Sequence, residues 1–176
     1  MSIINKSRLD ILANVVLVLV AISVAAHVFW PTTTQAGITI GQHMPAIPGY
    51  KIQPKTTLVL VLRTGCPYCE ASMPFYRRLS ALHSQGSLKA HLVALFPGPG
   101  DEARSFLDKN GVDIPAVGGV DLEAMHVQGT PTLILVDRDG RIDDSWLGQL
   151  SSLKESNVIS VVQSVDTHRD PWWKVW

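Results

Sequence analysis

Fifteen basic side chains balance fifteen acidic ones in a chain of 176 residues, so no net cationic field exists to attract nucleic acid. Hydrophobic residues make up 46% of the chain, and no internal repeat or low-complexity tract interrupts it. That excludes repeat architectures and leaves material for one domain with an ordinary core.

Residues 1–10 carry Lys6 and Arg8 against the single acid Asp10, and residues 11–30 are then almost wholly apolar, broken by Asn14, Ser23 and His27. Twenty helical residues rise about 30 Å, enough to cross a bilayer core. The next basic residue is Lys51, so the positive-inside rule puts residues 1–10 in the cytoplasm and the rest of the chain outside it. Trp30 is placed to anchor the outer end, and His27 reads as a tolerated interfacial residue. The competing reading is a cleaved signal peptide, with small-residue sites at Val24-Ala25-Ala26 or at Gln35-Ala36 before Gly37. The apolar run is long for such a peptide, which favours an uncleaved transmembrane anchor over residues 11–30. Residues 31–40, with Pro31 and a run of threonines, read as a linker, residues 41–166 as the folded domain and residues 167–176 as a tryptophan-rich tail. Outside the cytoplasm a thiol pair is either kept reduced actively or used as an oxidant.

Within the domain, Gly41 to Ile52 reads as an irregular lead-in with one edge strand. Thr57 to Leu62 is an apolar, β-branched run expected to be a buried strand. Arg63-Thr64-Gly65-Cys66-Pro67-Tyr68-Cys69-Glu70 follows and holds both cysteines of the chain in C-x-x-C spacing. Phe75, Leu79 and Leu82 then recur at helical spacing up to Gly86. Cys66 is therefore expected where a strand turns into a helix. Unpaired N–H groups and the positive end of the helix dipole would stabilise its thiolate there, and Pro67 suits the first helical position. Three residues apart on one helical face, Cys66 and Cys69 can close a small disulfide ring, with Cys66 as the exposed nucleophile and Cys69 as the buried resolving thiol. Two plainer readings compete. Half a zinc site would need two more ligands, and the sequence offers neither a second C-x-x-C nor a close histidine pair. A structural bridge over so short a loop would contribute little. A redox dithiol that needs no metal or cofactor is the better reading.

His91 to Phe96 reads as a second core strand, broken by Pro97-Gly98-Pro99-Gly100. Asp101 is expected to cap a helix that runs through Asn110 and ends at Gly111. Thr132 to Val136 reads as a third strand. Asp137-Arg138-Asp139-Gly140 is turn chemistry leading into a strand near Arg141 to Leu147. Ser152 and Glu155 suggest a capping box before an amphipathic helix through Val158, Ile159, Val162 and Val165. The order β-α-β-α-β-β-α predicts a mixed central sheet flanked by helices. In Gly129-Thr130-Pro131-Thr132 the proline belongs at a strand's start, and on sequence alone it is an ordinary trans turn proline.

Together, Cys66-Pro67-Tyr68-Cys69, Pro74 and Gly129-Thr130-Pro131-Thr132 resemble the thioredoxin fold. Gly41, Pro45, Phe106, Val127, the Val136-Asp137-Arg138-Asp139-Gly140 stretch and Gly148 narrow the resemblance to the TlpA/ResA-type, redoxin-like branch. Members of that branch are membrane-tethered thiol–disulfide oxidoreductases of the bacterial envelope. The resemblance covers roughly residues 40–150 and implies that Pro131 is cis and flanks Cys66. It also implies that Pro67, Tyr68, Thr130 and Pro131 meet the substrate, and that Pro97 to His126 is the branch's extra segment. It places the domain on the periplasmic side of the inner membrane, with protein disulfides as substrates and a membrane electron donor for re-reduction. Three positions depart from the pattern. Arg63-Thr64-Gly65 replaces the usual tryptophan before the first cysteine, Leu60 stands where thioredoxins bury an aspartate, and Ser72 stands where the ResA-like glutamate falls. Glu70 and Arg63 are the candidate substitutes for tuning the thiols.

The function expected is reduction of protein disulfides, with oxidant or isomerase action of the same fold as the alternative. A peroxiredoxin-like peroxidase would want a threonine three residues before the first cysteine, where Arg63 stands. A non-enzymatic membrane-tethered assembly factor would use Pro171-Trp172-Trp173-Lys174-Val175-Trp176 for docking, although such a tail fits packing on its own domain or the lipid interface better.

Overall fold

The computed structural model describes residues 14–21, 37–52 and 54–164. The chain divides into two compact units, residues 1–35 and 36–176. In the first, residues 14–21 are helical, and the apolar side chains from Val15 to Val20 are exposed. Among the described residues no helix is long and apolar enough to cross a membrane. The rest of the expected span lies outside the described residues, as do most of the expected linker, Val165 and the tail at 167–176.

In the second unit the elements run β1 (Thr57–Val61), α1 (Pro67–Ala71), α2 (Met73–Ser84), β2 (His91–Leu95), α3 (Gly100–Lys109), β3 (Ala116–Val117), β4 (Thr132–Val136), β5 (Ile142–Leu147) and α4 (Ser152–Ser164). They form one five-stranded sheet in the order β3-β2-β1-β4-β5. β1 pairs parallel with β2 and antiparallel with β4; β3 joins β2 in parallel, and β5 joins β4 antiparallel. β1 is central and buried at every residue, which is why its sequence is a continuous apolar run rather than an alternating one.

Successive residues of β1 face opposite sides. Leu58, Leu60 and Leu62 enter a core with Phe75, Tyr76 and Leu79 of α2, Leu107 of α3, and Val158, Ile159 and Val162 of α4. Val59 and Val61 enter a second core with Met44, Ile47, Val120, Met125 and Val127. The helices thus contribute to one face only, and irregular segments cover the other. Chain handedness accounts for part of this. The crossovers β1-to-β2 and β2-to-β3 step the same way across the sheet, and right-handed crossovers then place α2 and α3 on the same side. Full burial of each such Leu contributes about 1.5–3 kcal/mol.

Several local expectations are corrected. The lead-in forms no edge strand, only the isolated bridges His43 to Arg141 and Ile47 to Tyr50. Asp101 lies in the first turn of α3 rather than at its cap, which is Pro99. Ser152 is already helical, and the Glu155 N–H donates to the carbonyl of Ser151 at 2.9 Å instead of joining a capping box. β3 is a two-residue edge strand that no periodicity announced. It is held where Gly118 passes the chain before α3: a Cβ on Gly118 would meet the backbone of Gly100 and lie 2.6 Å from the carbonyl oxygen of Gly98.

The turn after β4 forms as its residues suggest. The buried Asp137 carboxylate accepts the N–H groups of Asp139 (2.9 Å) and Arg141 (2.8 Å).

Candidate active site

β1 stops at Val61, although the Leu62 N–H still donates to the Leu95 carbonyl at 2.9 Å. Gly65 then takes a φ of 69°, a left-handed turn that costs glycine little. Cys66 follows in an extended conformation as the N-cap of α1, with Pro67 entering the first turn. Its Sγ accepts the Cys69 N–H at 3.3 Å, doing for the helix start what a serine or aspartate oxygen usually does. The expected single helix is two. Pro74 cannot supply an N–H inside a helix, and the chain breaks at Ser72, whose hydroxyl donates to the Tyr68 carbonyl at 2.8 Å. With α1 only five residues long, local N–H groups rather than a long macrodipole act on Cys66.

The antiparallel register of β1 with β4, Val61 opposite Thr132, brings the start of β4 beside the end of β1. Thr130, 64 residues from Cys66 in sequence, is its closest distant partner. The Cys66 thiol donates to the Thr130 carbonyl at 3.5 Å, and the Thr130 hydroxyl donates to Cys66 Sγ at 3.6 Å. One residue thus accepts from the thiol and donates to the thiolate. The Thr130–Pro131 bond is cis and Pro131 is buried. The loop is braced by the Thr132 hydroxyl on the Gly129 carbonyl (2.7 Å) and the Gly148 N–H on the Pro131 carbonyl (2.7 Å).

The two sulfurs are unequal. Cys66 is half-buried and Cys69 is fully buried, both as free thiols. Burial alone would push the Cys66 thiol up. Hydrogen bonds from the Cys69 and Thr130 side chains, and from the backbone of Cys69 and Tyr68, outweigh it and hold the thiol below its ordinary value. Burial pushes the Cys69 thiol up to about 12, helped by its hydrogen bond with Cys66 and the Cys66 charge; the Arg63 backbone and the Thr130 hydroxyl oppose this.

Pro67, Tyr68, Glu70 and Arg63 are all exposed around the thiols. Arg63 acts on Cys69 through its backbone, which lowers the thiol. Leu60 is fully buried in the first core, and Ser72 is spent on the Tyr68 carbonyl.

Two participants escaped the sequence reading. The Thr130 hydroxyl serves both sulfurs, where the sequence pointed only to a backbone role. Tyr76 is a buried phenol on the thiol side of α2. Burial raises its pKa first, the Ser72 hydroxyl opposes this, and the charges of Cys69, Cys66 and Glu155 add to the rise, so it stays neutral. No helical spacing links it to Cys69, because the chain breaks between the two residues at Ser72.

The family model that matches the chain is Redoxin, over residues 50–162. No curated protein sequence matches. Among solved structures, the chain is similar to a protein from Bacteroides thetaiotaomicron provisionally described as a protein disulfide isomerase (18% identity, 73% of this chain and 90% of that one, TM-score 0.59). It is also similar to a thiol:disulfide interchange protein from a Bacteroides species (19% identity, 76% and 94%, TM-score 0.56). A third likeness is to the thioredoxin domain of a thiol-disulfide oxidoreductase from Bacteroides vulgatus (17% identity, 72% and 99%, TM-score 0.56). At these identities the likeness establishes the fold, which is mixed α/β and thioredoxin-like.

Proposed function

The chain belongs to the Redoxin family, and from that premise we propose that it is a membrane-tethered reductase of protein disulfides in the bacterial envelope, of the TlpA/ResA type. The observation that carries the reading is the inequality of the two thiols. Cys66 is accessible and held toward its thiolate, while Cys69 is buried and kept protonated.

The Cys66 thiolate attacks one sulfur of a substrate disulfide. A mixed disulfide forms, the substrate S–S bond breaks, and the departing substrate sulfur takes a proton from water. Cys66 then carries no negative charge, so its charge and its hydrogen bond no longer hold the proton on Cys69. Cys69 loses that proton and attacks Cys66 Sγ. The second substrate thiolate leaves, and the protein ends with a Cys66–Cys69 disulfide. The exposed Pro67 and Tyr68, together with Thr130 and Pro131, form the surface offered to the substrate. A membrane electron donor would return the dithiol. The apolar run at residues 11–30 supports the tether, and Thr130 before Pro131, in place of an aliphatic side chain, supports the reducing direction.

Trapping tests the roles directly. Cys69→Ser should accumulate mixed disulfides with envelope proteins on non-reducing gels, and Cys66→Ser should trap few. Equal ladders from both variants would overturn the assignment. The reduction potential tests the direction: about −270 mV fits a reductase, and about −120 mV would make the protein an oxidant. Recovery of the full-length chain in the membrane fraction would support the tether, and a soluble protein beginning near residue 37 would refute it.

A further inference from the structure

At the pole of the sheet away from the thiols lies an open cleft of about 630 Å³. Its walls come from separate parts of the domain: Lys55 before β1, His83 near the end of α2, Lys89 before β2, His91 at the start of β2, and Arg138 in the β4–β5 turn. Five cationic or titratable basic side chains therefore converge on one concavity, and no carboxylate is among the described residues that line it. The register of β1 with β2, Thr57 opposite His91, and of β1 with β4, Thr57 opposite Val136, gathers them from distant stretches of sequence.

The two histidines lie side by side, their ring centroids 6.4 Å apart. His83 Nδ1 is 3.2 Å from the Leu88 carbonyl oxygen. With its hydrogen placed there, protonation adds a second N–H at Nε2. His91 is held below its ordinary pKa by burial, then by the charge of Lys55, then by His83. Lys55 and His83 thus oppose a charge on His91, and a bound anion would relieve that opposition.

We infer that this cleft binds a phosphate group, using Lys55 and Lys89 as charged donors and the rings of His83 and His91 beside them. The bearer is either free inorganic phosphate or an anionic lipid headgroup, which share this chemistry. A bound phosphate group favours the protonated ring of His91 and so moves its titration to higher pH. The site is separate from the dithiol chemistry and does not depend on it.

The test uses the full-length protein in phosphatidylcholine nanodiscs, with ring resonances of His83 and His91 followed by NMR as inorganic phosphate is added at several pH values. Saturable shifts, a His91 titration moved to higher pH, and binding about tenfold weaker after Lys55→Gln with Lys89→Gln support the site with free phosphate as its ligand. The same shifts in phosphatidylglycerol nanodiscs without added phosphate support it with the headgroup as the source. No saturable shift in either setting would overturn the inference, and shifts undiminished in the double variant would mean an adventitious ion only and overturn it as well. Reduction of a disulfide substrate, measured on the same samples, checks that the variant is folded. It should not change, so failure here leaves the thiol chemistry standing and failure there leaves this site standing.

Discussion

Removing Cys66 while leaving Cys69 separates the causes that keep the second thiol protonated. With both cysteines present, burial, the hydrogen bond with Cys66 and the Cys66 charge push Cys69 up to about 12 from an ordinary 9.0. At pH 8 that leaves a thiolate fraction of about 10⁻⁴, against about one-tenth for an unperturbed thiol, a suppression of about a thousandfold. Cys66→Ser deletes the hydrogen bond to a thiol and the charge but not the burial, which is the largest cause. Cys69 in that variant should therefore alkylate faster than in the parent, yet remain at least about tenfold slower than a free cysteine. Its complete burial slows it further, since the reagent must wait for a local opening. The assay is pH-dependent iodoacetamide labelling of reduced protein, quenched in acid, with the two cysteine sites quantified by mass spectrometry. Labelling of Cys69 at pH 8 as fast as a free thiol in Cys66→Ser would refute burial as the dominant cause. Labelling of Cys69 ahead of Cys66 in the parent would refute the division of roles.

Thr130→Val removes the hydroxyl that donates to Cys66 Sγ, so the Cys66 thiol should rise and its labelling at pH 7 should slow several-fold, as loss of one hydrogen bond worth about 1 kcal/mol implies. The reduced protein should lose stability in alkali. Cys69 is raised in the fold, so its contribution is fully present below the unfolded value of 9.0 and lost as pH climbs toward about 12, up to about 4 kcal/mol by denaturant titration. The Cys66–Cys69 disulfide form should lack that loss. Gly118→Ala places a methyl on the backbone of Gly98 and Gly100, which cannot swing aside as a side chain can, and should lower stability by about 1–3 kcal/mol in a urea melt. Asp137→Ala strips two turn N–H groups of their acceptor and should cost about 1–3 kcal/mol by the same measurement.

The alternation of leucine and valine in β1, the cysteine spacing behind it and the Asp137-to-Gly140 turn are local patterns, and each was readable from neighbouring residues. A strand buried on both faces must be apolar throughout, Pro67 suits only a helix start, and an aspartate four residues before Arg141 can collect turn N–H groups. Because those constraints act within a few residues, the order of the main elements followed from them. Pro74 carried the local signal for the break at Ser72, but helical periodicity runs across it and masks the interruption. The rest lies between residues far apart in sequence. The Thr130 hydroxyl reaches Cys66 across 64 positions because Val61 pairs with Thr132. Ala116–Val117 becomes a strand only because β2 offers it an open edge, and the cationic cleft exists only where three strand ends meet. Strand register converts sequence distance into contact, and no pattern in either partner alone states which register the sheet will adopt.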